Sequence, residues 1–373
     1  MSRIRVFSCA TRRDGDGISP NPSLPAAYRA YSASGSCLVP AESITAVCAK
    51  QVLTGPNYLS AYPHRGLDIM KASIKWSLRK VVEDAKYIRN LFFYALTRES
   101  RKEPVVRYSE KGFLLPNYER PLCFFCSYDK ENIVSSDVYH YVNELVLAGF
   151  DIVFISASGT ISQVDIKKLS GSCIRIINRE NKGYDFYGWK TGLQEYPQYL
   201  AHKAVLLAND SVLGPLFSIK DIISSLEGYD ADIIGMTDSL HFHPHLQSYF
   251  LYCKKPVIVS EEFSRFFNEV KVLEFKAAVI RRYEVGFSRK LGDRFKILAL
   301  YDLERTLNEI RYSGKPRYWV EPTFDLWKSL IIEFKFPFLK KRVLTKKRVR
   351  IEEFLAVLEE SGSAYNTDTI PRQ

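Results

Sequence analysis

Short apolar runs rich in Val, Ile and Phe alternate with helix-patterned stretches through the middle of this chain, and that alternation leaves few folds open to it. The spacing predicts strands at 122–128, 151–157, 174–178, 202–208 and 231–237. Between them it predicts helices at 137–148, opened by Ser136 as N-cap, in a short segment after Gly183, and at 218–226. Strands separated by helices imply a mostly parallel sheet flanked by helices, an α/β fold. In such sheets ligands sit outside the carboxyl ends of the strands, so the chemistry is sought there.

At 373 residues the chain exceeds one minimal module, since domains run to ~150 residues each. Hydrophobic residues at 46% and charged residues at 25% exclude wholesale disorder and a fibrous fold. The apolar run 204–208 is cut by Asn209 and Asp210, and no stretch approaches the ~20 apolar residues that span a bilayer. Fifty-three Lys and Arg against 42 Asp and Glu give a net charge of +11, which suits an anionic partner. The seven cysteines are odd in number and irregular in spacing, which points to reduced thiols in a cytoplasm. No secretory signal fits residues 1–17, where four arginines stand and no apolar core.

The organisation reads as four parts. Residues 1–69 are Ser-, Ala-, Pro- and Gly-rich without a period and are expected to be a disordered leader, with Met70 as the natural start. Residues 70–117 carry a basic amphipathic helix in which Ile74, Leu78, Val81, Val82, Ala85 and Ile88 recur at helical spacing. That helix suits contact with an anionic membrane or packing on its own domain, and the pattern leaves both open. Residues 118–330 form the α/β domain, and 331–373 a basic tail.

Three polar clusters fall at strand ends. Ser127-Tyr128-Asp129 follows the first strand. The third is followed by residues 178–190, in which Gly183 and Gly188 allow close backbone approach, Asp185 accepts from hydroxyls, and Arg179, Lys182 and Lys190 bring positive charge. Asn209-Asp210-Ser211 follows the fourth. A carboxylate leaving a buried strand can hold a hard cation, Mg²⁺ or Mn²⁺, that bridges two phosphates.

The segments NKGYDFYGWKTGL, AVLLANDSVLGPL, DIIGMTDS with HLQSYFLYCKK, YEVGFSRKLGDRF, and EPTFDLWKSLI with FPFLKKRVL resemble the rhamnan synthesis protein F family from about Pro121 to Leu344. The resemblance implies a GT-A glycosyltransferase fold. It further implies transfer of a deoxyhexose, L-rhamnose in the first instance, from a dTDP-type nucleotide-sugar donor to a polysaccharide or lipid-linked glycan acceptor at the cytoplasmic face of the membrane. It assigns Asn181, Gly183, Tyr184, Asp185, Lys190, Asn209 and Ser211 to the donor side. Asp210 stands where many GT-A enzymes carry an Asp-x-Asp metal motif, with one carboxylate in place of two. His245, Gln247 and Ser248 fall on the acceptor side. Glu284 opens a segment similar to the helix that supplies the catalytic base, with Asp238 as the alternative. Asp185, Asp210 and Glu284 are expected around one diphosphate-sized cleft.

Other readings compete. Glu284 as a plain helix-surface acid would pair with Arg281 or Arg282. A non-catalytic glycan-binding or scaffolding subunit suits the single carboxylate at Asp210. Cys123 and Cys126 form a C-x-x-C inside a strand, where a spacing of three sends the thiols to opposite faces, so redox chemistry is set aside. His241, His243 and His245 alternate, but Pro244 interrupts them and no cysteine accompanies them, which favours an acceptor-side loop over a metal site. The tract 335–350 is basic without an acid and suits anionic lipid; no nucleic-acid-binding signature accompanies it.

Overall fold

The computed structural model describes residues 105–273, 275–345 and 349–370, with Leu78, Val81, Val82, Ala85, Ile88 and Arg89 as isolated positions. The expected leader and the expected start at Met70 lie outside the described residues. Of the expected basic helix, those six isolated positions are helical and exposed. Among the described residues no helix is long and apolar enough to cross a membrane.

A nine-stranded sheet organises the rest, in the order β1 (Val106–Lys111), β4 (Arg175–Arg179), β3 (Asp151–Ser156), β2 (Leu122–Ser127), β5 (Ala204–Asn209), β9 (Phe250–Lys254), β7 (Ile233–Ser239) and β10 (Ile297–Tyr301), with β8 (His245–Leu246) paired to β7. The β4–β3–β2–β5 block is parallel throughout, as is the β7–β10 pair. Between these blocks β9 runs antiparallel to both neighbours, and β1 closes one edge antiparallel to β4. β2, β3 and β5 are buried at every position, which explains why they read as continuous apolar runs without alternation. The α/β expectation therefore holds. β9 was not expected, because its residues follow a histidine loop that read as an acceptor-side connection.

The sheet is packed on both faces. Cys123 and Phe125 of β2 face one cluster with Tyr141, Phe154 and Phe338, while Phe124 and Cys126 face the other with Trp189, Phe263 and Phe287. The C-x-x-C thiols thus lie on opposite faces, and all four described cysteines are free and buried. Helix Ser136–Leu147 packs on the first face; its N-cap is Ser135 rather than Ser136, whose hydroxyl instead donates to the Thr369 carbonyl at 3.3 Å.

On the second face lies helix Tyr184–Glu195, twelve residues long where a short one was expected. Gly188 and Gly192, four apart, share its sheet side. A Cβ on Gly188 would stand 2.6 Å from the Cys126 sulfur, and one on Gly192 would stand 2.5 Å from Ile155 Cδ1. The expected role of Gly188 in approaching a ligand is therefore corrected: the surface it approaches is β2.

Beyond residue 330 the chain is not a free basic tail. Helix Trp327–Phe334 leads into β11 (Leu339–Lys340), which pairs antiparallel with β6 (Val212–Leu213). Leu213, Leu216, Ile331, Leu339 and Val343 form a third apolar cluster with Phe354, Val357 and Leu358 of helix Ile351–Glu360. Several cations of the tract are engaged: Lys335 donates to the Ser361 carbonyl at 2.7 Å, and Lys341 pairs with the buried Asp137 at 2.5 Å. Periodicity could not show this fold-back, because its strand is two residues long.

Two glycines separate packing from propensity. Gly192→Ala is expected to destabilise by about 1–3 kcal/mol through overpacking against Ile155 and Phe124. Gly286→Ala, where an added Cβ meets nothing within 4 Å, is expected to stabilise by about 0.5–1 kcal/mol. Urea titrations of the two variants check both signs.

Candidate functional site

Every polar cluster of interest stands at the carboxyl end of a parallel strand or on the elements that close over it. At the end of β4, Arg179 is 2% exposed and holds the following loop together. Its Nη1 donates to the carbonyls of Glu180 (2.8 Å) and Lys182 (2.6 Å), and its Nη2 to that of Tyr184 (2.8 Å). The loop turns through Gly183 at φ 76° and Tyr184 at φ 56°, left-handed conformations that glycine adopts freely and tyrosine does not. That turn starts the helix and sets Asp185 in its first turn, while Asn181 and Tyr184 remain exposed on the rim.

At the end of β5, buried Asn209 ties two clusters together. Its Nδ2 donates to Asp185 Oδ2 at 3.2 Å, and its Oδ1 accepts from the Ser211 hydroxyl at 2.5 Å and the Ser211 backbone N–H at 3.1 Å. Asp210 Oδ2 accepts from the Ser127 hydroxyl at 2.8 Å and from the Tyr128 backbone N–H at 2.9 Å. Burial, then the neighbouring Asp210 charge, push the Asp185 carboxyl up to about 6. Burial also raises Asp210, although Lys341 and its two donors oppose the shift.

Opposite these strand ends stands Glu284, the last residue of a π-helical turn, Ile280–Glu284, between two α-helical segments. Such turns re-aim side chains and are frequent at functional sites. Among the described residues, His245 and Ser248 engage the Glu284 carboxylate. Its Oε1 lies 3.5 Å from His245 Nε2, and its Oε2 accepts from the Ser248 hydroxyl at 2.8 Å. The His243 carbonyl lies 2.7 Å from His245 Nδ1, a geometry that places a proton on that nitrogen. Gln247 spans the same region, its Oε1 accepting from the Thr237 hydroxyl at 2.6 Å and its amide nitrogen donating to Glu321. Burial works against ionisation of Glu284, but the hydrogen bond and charge of His245, with Lys340 beyond, outweigh it and hold the carboxyl below its ordinary value. Burial likewise works against the His245 cation, and Glu284 outweighs it and raises the imidazole.

Lys340 joins the two sides. Carried in by β11, its ammonium donates to the Ser211 hydroxyl at 3.1 Å and lies 4.5 Å from the centre of the Tyr249 ring. Burial pushes it down to about 8 against the pull of Glu284, Glu321 and Asp185. Asp185 and Glu284 thus both act on one half-buried cation, and Asp210 acts on Asp185. Burial, then Glu284, raise Glu321.

Two expected site residues are committed to other contacts, although Asp238 lies beside β8 and its His245. Lys190 is 7% exposed and donates to the carbonyls of Val270 (2.8 Å) and Asn268 (3.3 Å), so it ties its helix to the loop after helix Glu261–Asn268 instead of facing a donor. Asp238 accepts from the Leu303 backbone N–H at 2.7 Å at the start of helix Leu303–Glu309, and burial with the Asp302 charge pushes it up to about 7. Lys340 and Glu321 were missed as site residues. Both lie in segments that carry the family resemblance, but Lys340 was hidden in a basic tract and Glu321 before Pro322.

The residues at Asp210 do not suit Mg²⁺ or Mn²⁺. Asp210 Oδ2 already accepts two hydrogen bonds, the Asn209 amide donates into Asp185, and an ammonium stands among the carboxylates. Among the described residues no group of three His, Cys, Asp or Glu side chains could hold a metal ion.

The His245–Glu284 pair makes a pH prediction. A raised imidazole contributes stability below its unfolded value and loses it as pH rises through the folded one; a depressed carboxyl contributes above its unfolded value and loses it as pH falls through the folded one. The pair therefore stabilises most between the two unfolded values, roughly pH 4.5 to 6.5. His245 is expected to titrate above 6.5 in the native chain and lower in Glu284→Gln, where only the His243 carbonyl and the Glu321 charge still oppose burial. Histidine-resolved NMR titration checks the downward shift.

Comparison with known proteins bears on what this arrangement belongs to. The chain is 28% identical over 178 residues to the uncharacterized protein y4gN of Sinorhizobium fredii, a match covering 46% of each, so it spans about half the length of that relative. It is 26% identical over 271 residues to virulence protein VirA of Vibrio anguillarum, covering 65% of this chain and 85% of VirA. A structure assigned as a nucleotide-diphospho-sugar transferase from Desulfovibrio desulfuricans G20 superposes with TM-score 0.33 and 14% identity over 66% of this chain and 99% of its own. The mannosyltransferase PcManGT of Pyrobaculum calidifontis, solved with GDP-Man and Mn²⁺, gives 0.32 and 8% over 78% and 87%. Likeness at TM-scores of this size supports no inference about this chain. The family model for rhamnan synthesis protein F matches residues 152–372, more than half of the sequence. The chain belongs to the rhamnan synthesis protein F family.

Proposed function

We propose that the chain is a nucleotide-sugar glycosyltransferase of GT-A-like architecture. Its finer reaction is transfer of a deoxyhexose, L-rhamnose from dTDP-rhamnose, to a bacterial cell-surface polysaccharide intermediate. The observation that carries the reading is Glu284: a carboxylate kept ionised by His245 and Ser248, across a half-buried lysine from the strand-end pair Asp185 and Asn209.

The chemistry needs these parts in this order. The acceptor hydroxyl approaches Glu284 beside Ser248, and Glu284 takes its proton as the oxygen attacks C1 of the donor sugar. The bond from C1 to the diphosphate oxygen breaks, and the nucleoside diphosphate leaves with the electron pair. Positive charge near that oxygen stabilises the departing anion, and Lys340 stands on the donor side to supply it. His245 holds Glu284 charged and oriented, with its Nδ1 proton anchored on the His243 carbonyl. Asp185, Asn209 and Ser211 present the polar surface on which the donor's hydroxyls and diphosphate rest, with Asn181, Gly183 and Tyr184 at its rim. Gln247 and Ser248 line the acceptor side. Asp238, committed to the Leu303 amide, is the weaker candidate for the base.

Family membership supports the sugar and the setting. The acceptor is proposed to be a polysaccharide or lipid-linked glycan, met in the cytoplasm at an anionic membrane surface that the exposed helical positions Leu78, Val81, Val82 and Ile88 would suit.

Incubation with dTDP- and UDP-sugars, followed by assay of released nucleoside diphosphate, is expected to show turnover with a dTDP-deoxyhexose. Glu284→Gln is expected to lower turnover by about 10²–10⁴-fold while leaving nucleotide affinity nearly unchanged. Full turnover in that variant moves the base to another group.

A further inference from the structure

We propose that Lys340, and no divalent cation, supplies the positive charge that a nucleoside diphosphate meets in this site. The inference rests on the transferase reading for its ligand, and it deepens that reading by naming what holds the diphosphate.

Three observations carry it. The first is position: Lys340 reaches the carboxyl end of β5 and donates to Ser211, the residue directly after the single Asp210. A diphosphate resting on Asn209 and Ser211 is therefore within reach of this ammonium. The second is the donor set. A hard cation such as Mg²⁺ or Mn²⁺ prefers carboxylate oxygens that are open to it. Here Asp210 Oδ2 accepts from Ser127 and Tyr128, and Asn209 donates an N–H into Asp185. A divalent ion placed among them would also face Lys340 and the exposed Lys276, which both act on Asp185. The third is cost. A lysine ammonium is kept from water only where opposite charges hold it, and on half-buried Lys340 the charges of Glu284, Glu321 and Asp185 act together. Among the described residues its ammonium donates to a hydroxyl, which leaves donors for an incoming anion. A diphosphate would add the negative charge that best offsets the burial.

The position also explains the fold-back of the chain's last third. The β11–β6 ladder pairs Lys340 with Val212 through the backbone, which aims the side chain from the sheet edge into the site. Substitution of the side chain leaves those backbone bonds in place.

The test uses the full chain and isothermal titration with dTDP and UDP, and with thymidine and uridine as nucleosides lacking the diphosphate, each in EDTA and in Mn²⁺. Turnover of the matching nucleotide sugars is followed under the same two conditions. Diphosphate binding and turnover are expected to persist in EDTA. Lys340→Met is expected to weaken diphosphate affinity by about 10- to 100-fold, the loss of a charge-assisted hydrogen bond, with nucleoside affinity unchanged and Lys340→Arg recovering most of the loss. Loss of binding and turnover in EDTA with restoration by Mn²⁺ overturns the inference and leaves the transferase reading standing; this arm needs only the unaltered protein. Diphosphate binding that depends on Lys340, with no nucleotide sugar turned over, upholds the inference for binding and overturns the transferase reading. Binding of neither nucleotide under either condition overturns both.

Discussion

The site depends on one half-buried ammonium on which several carboxylates act. The charges of Asp185 on the strand-end side and of Glu284 and Glu321 all act on Lys340, and burial, with the like charge of Lys276, still pushes it down to about 8. An unpaired lysine in such a place would be expelled or neutralised, so its presence requires the acids around it. Burial first, and then a neighbouring carboxylate, raises two of those acids: Asp210 acts on Asp185 and Glu284 on Glu321. The cluster is thus mutually dependent. Each charge is tolerable because the others are there.

The rest of the fold serves to hold that cluster still. The parallel block β4–β3–β2–β5 brings Arg179 and Asn209 to one edge, where the guanidinium binds loop carbonyls and the amide links Asp185 to Ser211. Gly188 and Gly192 let the helix that carries Asp185 lie close against β2 and β3. On the other side, the π-helical turn and β8 bring Glu284 and His245 together, and Glu284 alone among the cluster's acids is held below its ordinary value. One carboxylate kept charged beside others pushed toward neutrality is the division that a proton-accepting group and a ligand-binding surface require.

Much of this was legible in the sequence. The buried strands announced themselves as apolar runs, and each ended in polar residues because the sheet's carboxyl edge is where backbone and solvent meet. Asp185, Asn209, Ser211, Glu284, Gln247 and Ser248 all come to the same region. The misreadings share a cause, which is that a side chain's direction is set by contacts distant in sequence. Lys190 looked like a phosphate contact because it follows a glycine-rich loop, but the helix turns it toward the carbonyls of Asn268 and Val270. Asp238 looked like a strand-end acid, yet it accepts from the start of a helix some sixty residues on. Lys340 lay in a basic run in which neighbouring cations look alike, and only the β11–β6 pairing separates it from Lys341, which pairs with Asp137.

The central claim is spatial and can be tested spatially. A crystal structure of the chain with a nucleoside diphosphate is expected to show diphosphate oxygens about 3 Å from Lys340 Nζ, between Asp185 and Glu284. A diphosphate lying elsewhere on the chain, or one held through a divalent cation on Asp210 with Lys340 turned away, would contradict the account.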